Sequence, residues 1–135
     1  MYYEATVKRT IVDQKGNDKE VSEKYICNGC DLFSEAEMRV YGLFNNECDV
    51  TAVKRSAIRE FANTPTRNDG EAIYIATIVD TFVKEDGSES KTKYKVALYA
   101  LSVIDANKKV QEYMAQGLDD MECEKIEKTQ FVEVI

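Results

Sequence analysis

Residues 74–81 read YIATIVDT, and residues 3–10 read YEATVKRT. Tyr, Ala and two Thr recur at the same four offsets, 71 positions apart, and Ile78 answers Val7. Both stretches alternate in the manner of a strand, which sends successive side chains to opposite faces. In the first run Tyr3, Ala5, Val7 and Ile11 share a face. In the second, Ile73, Ile75 and Val79 hold one parity and Tyr74, Ala76, Ile78 and Phe82 the other. A strand apolar on both parities is covered on both faces or lies in an interface.

The repetition extends outward from these two runs. Each is followed by a polar turn with a glycine, DQKGND at 13–18 and KEDGSES at 84–90. Gly16 and Gly87 supply the positive φ that a hairpin needs. A second strand follows each turn, at 19–28 and 90–101, and we align Tyr25 with Tyr94 across a two-residue shortening. Ser34 with Glu37 has the spacing of a capping box, which predicts a helix whose apolar stripe is Ala36, Val40, Leu43 and Phe44. Ala106, Val110, Tyr113 and Met114 repeat that stripe. Asn45-Asn46 ends the first helix and Gly117 the second. A last run closes each half, about 48–62 and 123–135, with Val53, Ser56 and Ile58 answered by Ile126, Thr129 and Phe131.

The expected fold is α+β. Two internally duplicated ββαβ units build an antiparallel or mixed sheet with two helices packed on it, related by a pseudo-two-fold axis. Residues 1–62 form the first repeat and 72–135 the second, within one joint domain. Residues 63–71 (NTPTRNDGE), with the single proline, form the linker. One hairpin with one helix has too little apolar surface to stand alone, so a shared core is expected. A third strand parallel to the second and reached by a crossover would lie beside the first, making the first strand of each half central.

The helix start FSEAEMRV (33–40), after a Tyr-rich hairpin and before a degenerate second copy, resembles an uncharacterised family of small proteins from Bacteroidota and their crAss-like phages. The resemblance covers nearly the whole chain and carries no catalytic residue. It implies a cytosolic accessory protein, phage-encoded in some members, acting beside the host's information-processing machinery.

Composition narrows the function further. With 25 Asp and Glu against 18 Lys and Arg the net charge is −7, which argues against bulk attraction to nucleic acid or anionic lipid. No apolar run approaches the ~20 residues of a membrane span, and MYYEATVKRT lacks the pattern of a secretory signal. Four Cys without such a signal suit a reduced, cytoplasmic compartment, the host's if the protein is phage-encoded. The absence of His removes the commonest general base and metal ligand at neutral pH.

Three constellations remain. Cys27-Asn28-Gly29-Cys30 has the spacing of half a zinc site, to which Cys48 and Cys123 are the only other thiols. A small buried hydrophobe is the favoured reading of these cysteines, so we expect no metal and no cofactor. Lys91, Lys93 and Lys95 share one strand face at about 6–7 Å spacing, which suits a phosphate backbone. Lys54 and Arg55, with Arg59, form a second basic cluster and Lys8-Arg9 a third. Lysines also keep an edge or solvent face soluble, and that reading is favoured. Six of the eight Tyr fall on strands, where we favour packing over base stacking. The acidic run 118–122 reads as a solvated turn rather than a calcium loop.

The expected function is that of a non-catalytic, self-associating accessory protein, a homo-oligomer of two or four chains. The alternative is a single-stranded nucleic-acid-binding accessory protein using Lys91, Lys93 and Lys95 with Lys54 and Arg55. No enzyme activity and no membrane association are expected.

Overall fold

Ten elements follow the chain in the computed structural model, which describes residues 1–117 and 120–135. They are β1 (Tyr2–Val12), β2 (Asp18–Asn28), α1 (Phe33–Leu43), β3 (Asp49–Arg55), β4 (Ile58–Phe61), β5 (Ala72–Val83), β6 (Glu89–Ala100), α2 (Val103–Ala115), β7 (Asp120–Lys128) and β8 (Phe131–Val134). The fold is α+β. The strands form two four-stranded mixed sheets, ordered β3-β1-β2-β8 and β4-β6-β5-β7. The sequence led to one sheet carrying both helices; each helix instead has a sheet of its own.

The chain divides into two units, Met1–Ser56 with Gln130–Ile135, and Ala57–Thr129. These limits differ from 1–62 and 72–135 for a topological reason. Each closing run is two strands rather than one, broken at Ser56-Ala57 and at Thr129-Gln130. β4 follows β3 in the chain but pairs with β6; β8 follows β7 but pairs with β2. Residues 63–71 therefore join β4 to β5 inside the second unit.

Within each unit the ββαβ order and the strand pairing are the same, but the fourth strand comes last in the first unit (β8) and first in the second (β4). β1 pairs antiparallel with β2 and β3, as β5 does with β6 and β7, so the first strand of each half is central. The hairpin turns match: Gly16 N–H donates to Asp13 O, and Gly87 N–H to Lys84 O, both at 3.0 Å. Their φ angles, 81° and 84°, are strained for any residue with a Cβ. A bulge interrupts β1–β3 between Thr6 and Val7, and β5–β7 between Thr77 and Ile78. Val50 lies opposite Val7 as Cys123 lies opposite Ile78. Ile58 lies opposite Lys95 as Phe131 lies opposite Lys24.

One alignment needs correcting. Ala5 faces Tyr25 and Ala76 faces Val96, so Tyr25 is equivalent to Val96 rather than Tyr94. Cys27 faces Tyr3 as Leu98 faces Tyr74, which makes Leu98 its counterpart. The hairpins are equal in length. A slip of two residues keeps every side chain on its face, so strand periodicity alone cannot detect it.

Each helix presses two fully buried residues onto its sheet. Ala36 and Val40 meet Tyr3, Ala5, Val7, Tyr25 and Cys27; Ala106 and Val110 meet Tyr74, Ala76, Ile78, Val96 and Leu98. Leu43, counted in the apolar stripe, is exposed. Ser102 caps α2 by accepting from Asp105 N–H at 3.1 Å, while Asp105 accepts from Leu101 N–H at 2.9 Å. In α1 the N-cap is Leu32, with no side-chain cap, and Glu35 accepts from Asp31 N–H at 3.1 Å. The predicted Ser34–Glu37 box is thus two residues out of place, because the helix starts at Phe33. Asn45 and Asn46 end α1 with positive φ, as expected.

Candidate functional site

The lysine strip is exposed. Lys91, Lys93 and Lys95 project from β6 on the face away from α2, while Tyr94 turns toward the helix side. Carboxylates share that face. Lys93 Nζ is 3.1 Å from Glu124 Oε1, and Lys125, opposite Thr77 on β7, pairs with Glu127. The strip is a checkerboard of both signs rather than a basic track. Lys54 and Arg55 lie in the first unit on β3, where Lys54 Nζ is 3.8 Å from Glu4 Oε1 and Arg55 lies opposite Tyr3. Of the six strand tyrosines, Tyr3, Tyr25, Tyr74 and Tyr99 are buried and serve packing.

Cys27 and Cys30 are buried in the first unit's apolar cluster, and all four thiols are free. Burial, with the neighbouring Cys30, pushes the Cys27 thiol up to about 11. Such a thiol stays protonated at neutral pH, unlike a metal ligand or nucleophile. Among the described residues no three His, Cys, Asp or Glu converge as a metal site. The acidic run 118–122 begins in residues 118–119, outside the described residues.

Beside the C-terminal end of each helix lies an open cleft that the sequence did not reveal. In the first unit it measures about 460 Å³ and is lined by Arg9, Glu20, Asn46 and Cys48. Arg9 Nε donates to Glu23 Oε1 at 2.5 Å, and its guanidinium sits 4.9 Å from the Phe44 ring centre. In the second unit it measures about 250 Å³ and is lined by Arg59, Glu60, Asp80, Tyr94 and Tyr113. There Arg59 stacks 4.5 Å from the Tyr94 ring centre. Burial and the hydrogen bond that Tyr113 donates to Glu60 hold the Tyr113 phenol protonated far above its usual range. At matched backbone positions Asp80 stands for Arg9 and Tyr94 for Glu23. The two clefts share a frame and differ in chemistry.

An ion pair between buried Glu71 and half-buried Lys109 anchors the β4–β5 loop. Glu71 is 5% exposed, and its Oε2 accepts from Lys109 Nζ at 2.7 Å while Oε1 accepts from Asn68 N–H at 2.8 Å. Lys109 also donates to Tyr99 O at 2.9 Å. The Lys109 bond, then the Asn68 bond, holds the Glu71 carboxyl below its ordinary value. Burial pulls the Lys109 ammonium down, but bonds to Glu71 and Asp105 outweigh it and the net shift is upward. At the equivalent helix position of the first unit Arg39 has no acidic side-chain partner among the described residues and instead donates to Asn28 O and, at 3.2 Å, to Ile135 O.

The feature with most capacity for binding is backbone. β8 covers β2 only from Lys24 onward, and β4 covers β6 only from Lys95 onward. Asn28 N–H donates to Ile135 O, and Ile26 O accepts from Ile135 N–H, so even-numbered residues of β2 aim their peptide groups outward. Ala97 O accepts from Ala62 N–H, so odd-numbered residues of β6 do the same. Neither hairpin has a register shift, so the alternation runs on through Ser22, Glu20 and Asp18, and through Lys93, Lys91 and Glu89. Among the described residues no strand pairs with either outer segment. Sequence periodicity marks strands but not their neighbours, which is why these edges went unseen.

Fold and edges together define an α+β protein of two like units, each with a half-open sheet. The chain belongs to the family described as Domain of unknown function (DUF4494), whose model matches residues 1–135. No curated protein and no solved structure is significantly similar to it.

Proposed function

We propose that this is a non-catalytic accessory protein that works by association, first of all with further copies of itself, as a dimer or tetramer. The observation that carries the reading is the pair of uncovered strand segments, residues 18–23 of β2 and 89–94 of β6. An uncovered edge presents unpaired N–H and C=O groups and is a template for another strand. Exposed apolar residues at the hairpin ends, Val12, Phe82 and Val83, add surface that association would bury. Light scattering on the purified chain at about 50 µM tests it. A mass of two or four times 15.4 kDa supports the reading, and a mass of 15.4 kDa refutes it.

Four free thiols, two of them three residues apart in one apolar cluster, support a reducing cytoplasmic compartment. No helix among the described residues is long and apolar enough to cross a membrane. The matched registers support an origin by duplication, and FSEAEMRV supports an origin in Bacteroidota or their phages. A second reading, single-stranded nucleic acid held on Lys91, Lys93 and Lys95 with Lys54 and Arg55, is favoured by the exposure of the β6 lysines. The Lys93–Glu124 and Lys54–Glu4 pairs weigh against it. Titration of a labelled oligonucleotide at low salt decides it: saturable binding lost in Lys91→Glu/Lys93→Glu/Lys95→Glu supports it, and no binding refutes it.

A further inference from the structure

We infer that the outer edge of β2 in one copy pairs antiparallel with the outer edge of β6 in a second copy, in the register that sets Asp18 against Lys93 and Glu20 against Lys91. This rests on the self-association reading and says which surfaces meet. The two open segments differ in charge. The outward-bonding residues of β2 are Asp18, Glu20 and Ser22, and those of β6 are Glu89, Lys91 and Lys93. In an antiparallel ladder, residues whose peptide groups bond each other lie directly opposite, with their side chains on one face.

Charge then selects the partner. Residues 18–23 of β2 (DKEVSE) carry a net charge of −2, so β2 against β2 opposes two acidic segments, and two of its registers set Glu20 against Glu20 or Asp18. Residues 89–94 of β6 (ESKTKY) carry a net charge of +1, so β6 against β6 opposes two basic segments, although one register places Glu89 against Lys91. Only the mixed pairing sets a net acidic segment against a net basic one. Among mixed registers, the one above forms two opposite-charge pairs and places Ser22 against Glu89. A shift of two residues one way sets Glu20 against Glu89; a shift the other way leaves a single pair, Glu20 with Lys93. On the helix side of the same ladder Val21 meets Ser90 and Lys19 meets Thr92, with no like charges opposed. The present partners are easily exchanged. Lys8–Glu20 spans 3.9 Å and Lys93–Glu124 3.1 Å, both between well-exposed side chains, and surface pairs of this kind hold weakly. Charged edges ordinarily prevent indiscriminate strand pairing. Here the opposite net charges of the two edges favour the mixed pairing over either like-with-like one.

Two charge-reversed chains test this. Asp18→Lys/Glu20→Lys makes both edges basic, and Lys91→Glu/Lys93→Glu makes both acidic. All four positions are exposed, and circular dichroism verifies that each variant is folded. Sedimentation velocity is expected to show each variant alone associating at least about tenfold more weakly than the parent. An equimolar mixture is expected to regain the parent's mass as a hetero-oligomer, since each basic edge then finds an acidic one. If the parent is oligomeric and the variants associate unchanged, or the mixture stays dissociated, the edge pairing is wrong and self-association stands. If the parent itself sediments as a single chain, self-association fails, and the pairing with it.

Discussion

Replacing Lys109 by Met isolates the Glu71–Lys109 ion pair of the second unit. The variant keeps the stem and removes the ammonium. Glu71 Oε2 loses a donor at 2.7 Å and Tyr99 O loses one at 2.9 Å. A hydrogen bond to a charged group contributes about 1.5–3 kcal/mol, and breaking a fully buried pair costs about 3–5 kcal/mol. Lys109 is a quarter exposed, so water reaches the site and the upper figure must be discounted. Asn68 N–H still serves Oε1. The expected loss is about 2 kcal/mol in urea unfolding near pH 7. Lys109→Arg should lose less than half of that, since Arg39 fills the equivalent place in the first unit. The sign with pH follows from Glu71, whose folded-state value lies below its unfolded one. Its contribution is complete above about pH 4.5 and fades as pH falls through the lowered value. The deficit of Lys109→Met should therefore shrink between about pH 5 and about pH 2. A loss under about 0.5 kcal/mol at neutral pH, or one that stays constant into acid, would refute the assignment.

Other outcomes follow from the comparison of the units. Leu32→Ser gives α1 the cap that Ser102 gives α2, and should raise stability by about 0.5–1 kcal/mol in thermal unfolding, whereas Ser102→Ala should lower it by about 1 kcal/mol. In native protein near pH 8, a thiol reagent should modify the partly exposed Cys48 and Cys123 well before Cys27 and Cys30, which should react only in denaturant. Gly87→Ala meets no neighbouring atom, so its cost of about 1 kcal/mol or more would report the φ of 84° alone, and Gly87→Asn should cost less.

Much of the fold was legible because strand and helix periods leave strong marks. The recurrence of Tyr, Ala and Thr in YEATVKRT and YIATIVDT located the central strands, and Gly16 and Gly87 located the turns between them. Ser56 and Thr129, aligned by sequence, hold equivalent places: their amides donate to Tyr2 O and Ile73 O. Four things were not legible. The match of Tyr25 with Tyr94 failed because a two-residue slip preserves the face. The false cap at Ser34 arose because Glu35 and Glu37 both lie within reach of a helix start. The destinations of IREF and FVEV were invisible because nothing in a four-residue strand says which sheet will hydrogen-bond it. That last gap hid the candidate surface too: which half of β2 and β6 stays open depends on where β4 and β8 stop. Glu71 and Lys109, 38 residues apart, carry no spacing signal that would pair them.

Amide hydrogen exchange followed residue by residue, in dilute and in concentrated protein, tests the association most directly. The outward N–H groups of Glu20, Ser22, Lys91 and Lys93 should exchange rapidly in dilute protein and slow by at least about tenfold when concentrated, while Val21 and Thr92, which face inward, change little. Equal, rapid exchange of those four amides at both concentrations would contradict it.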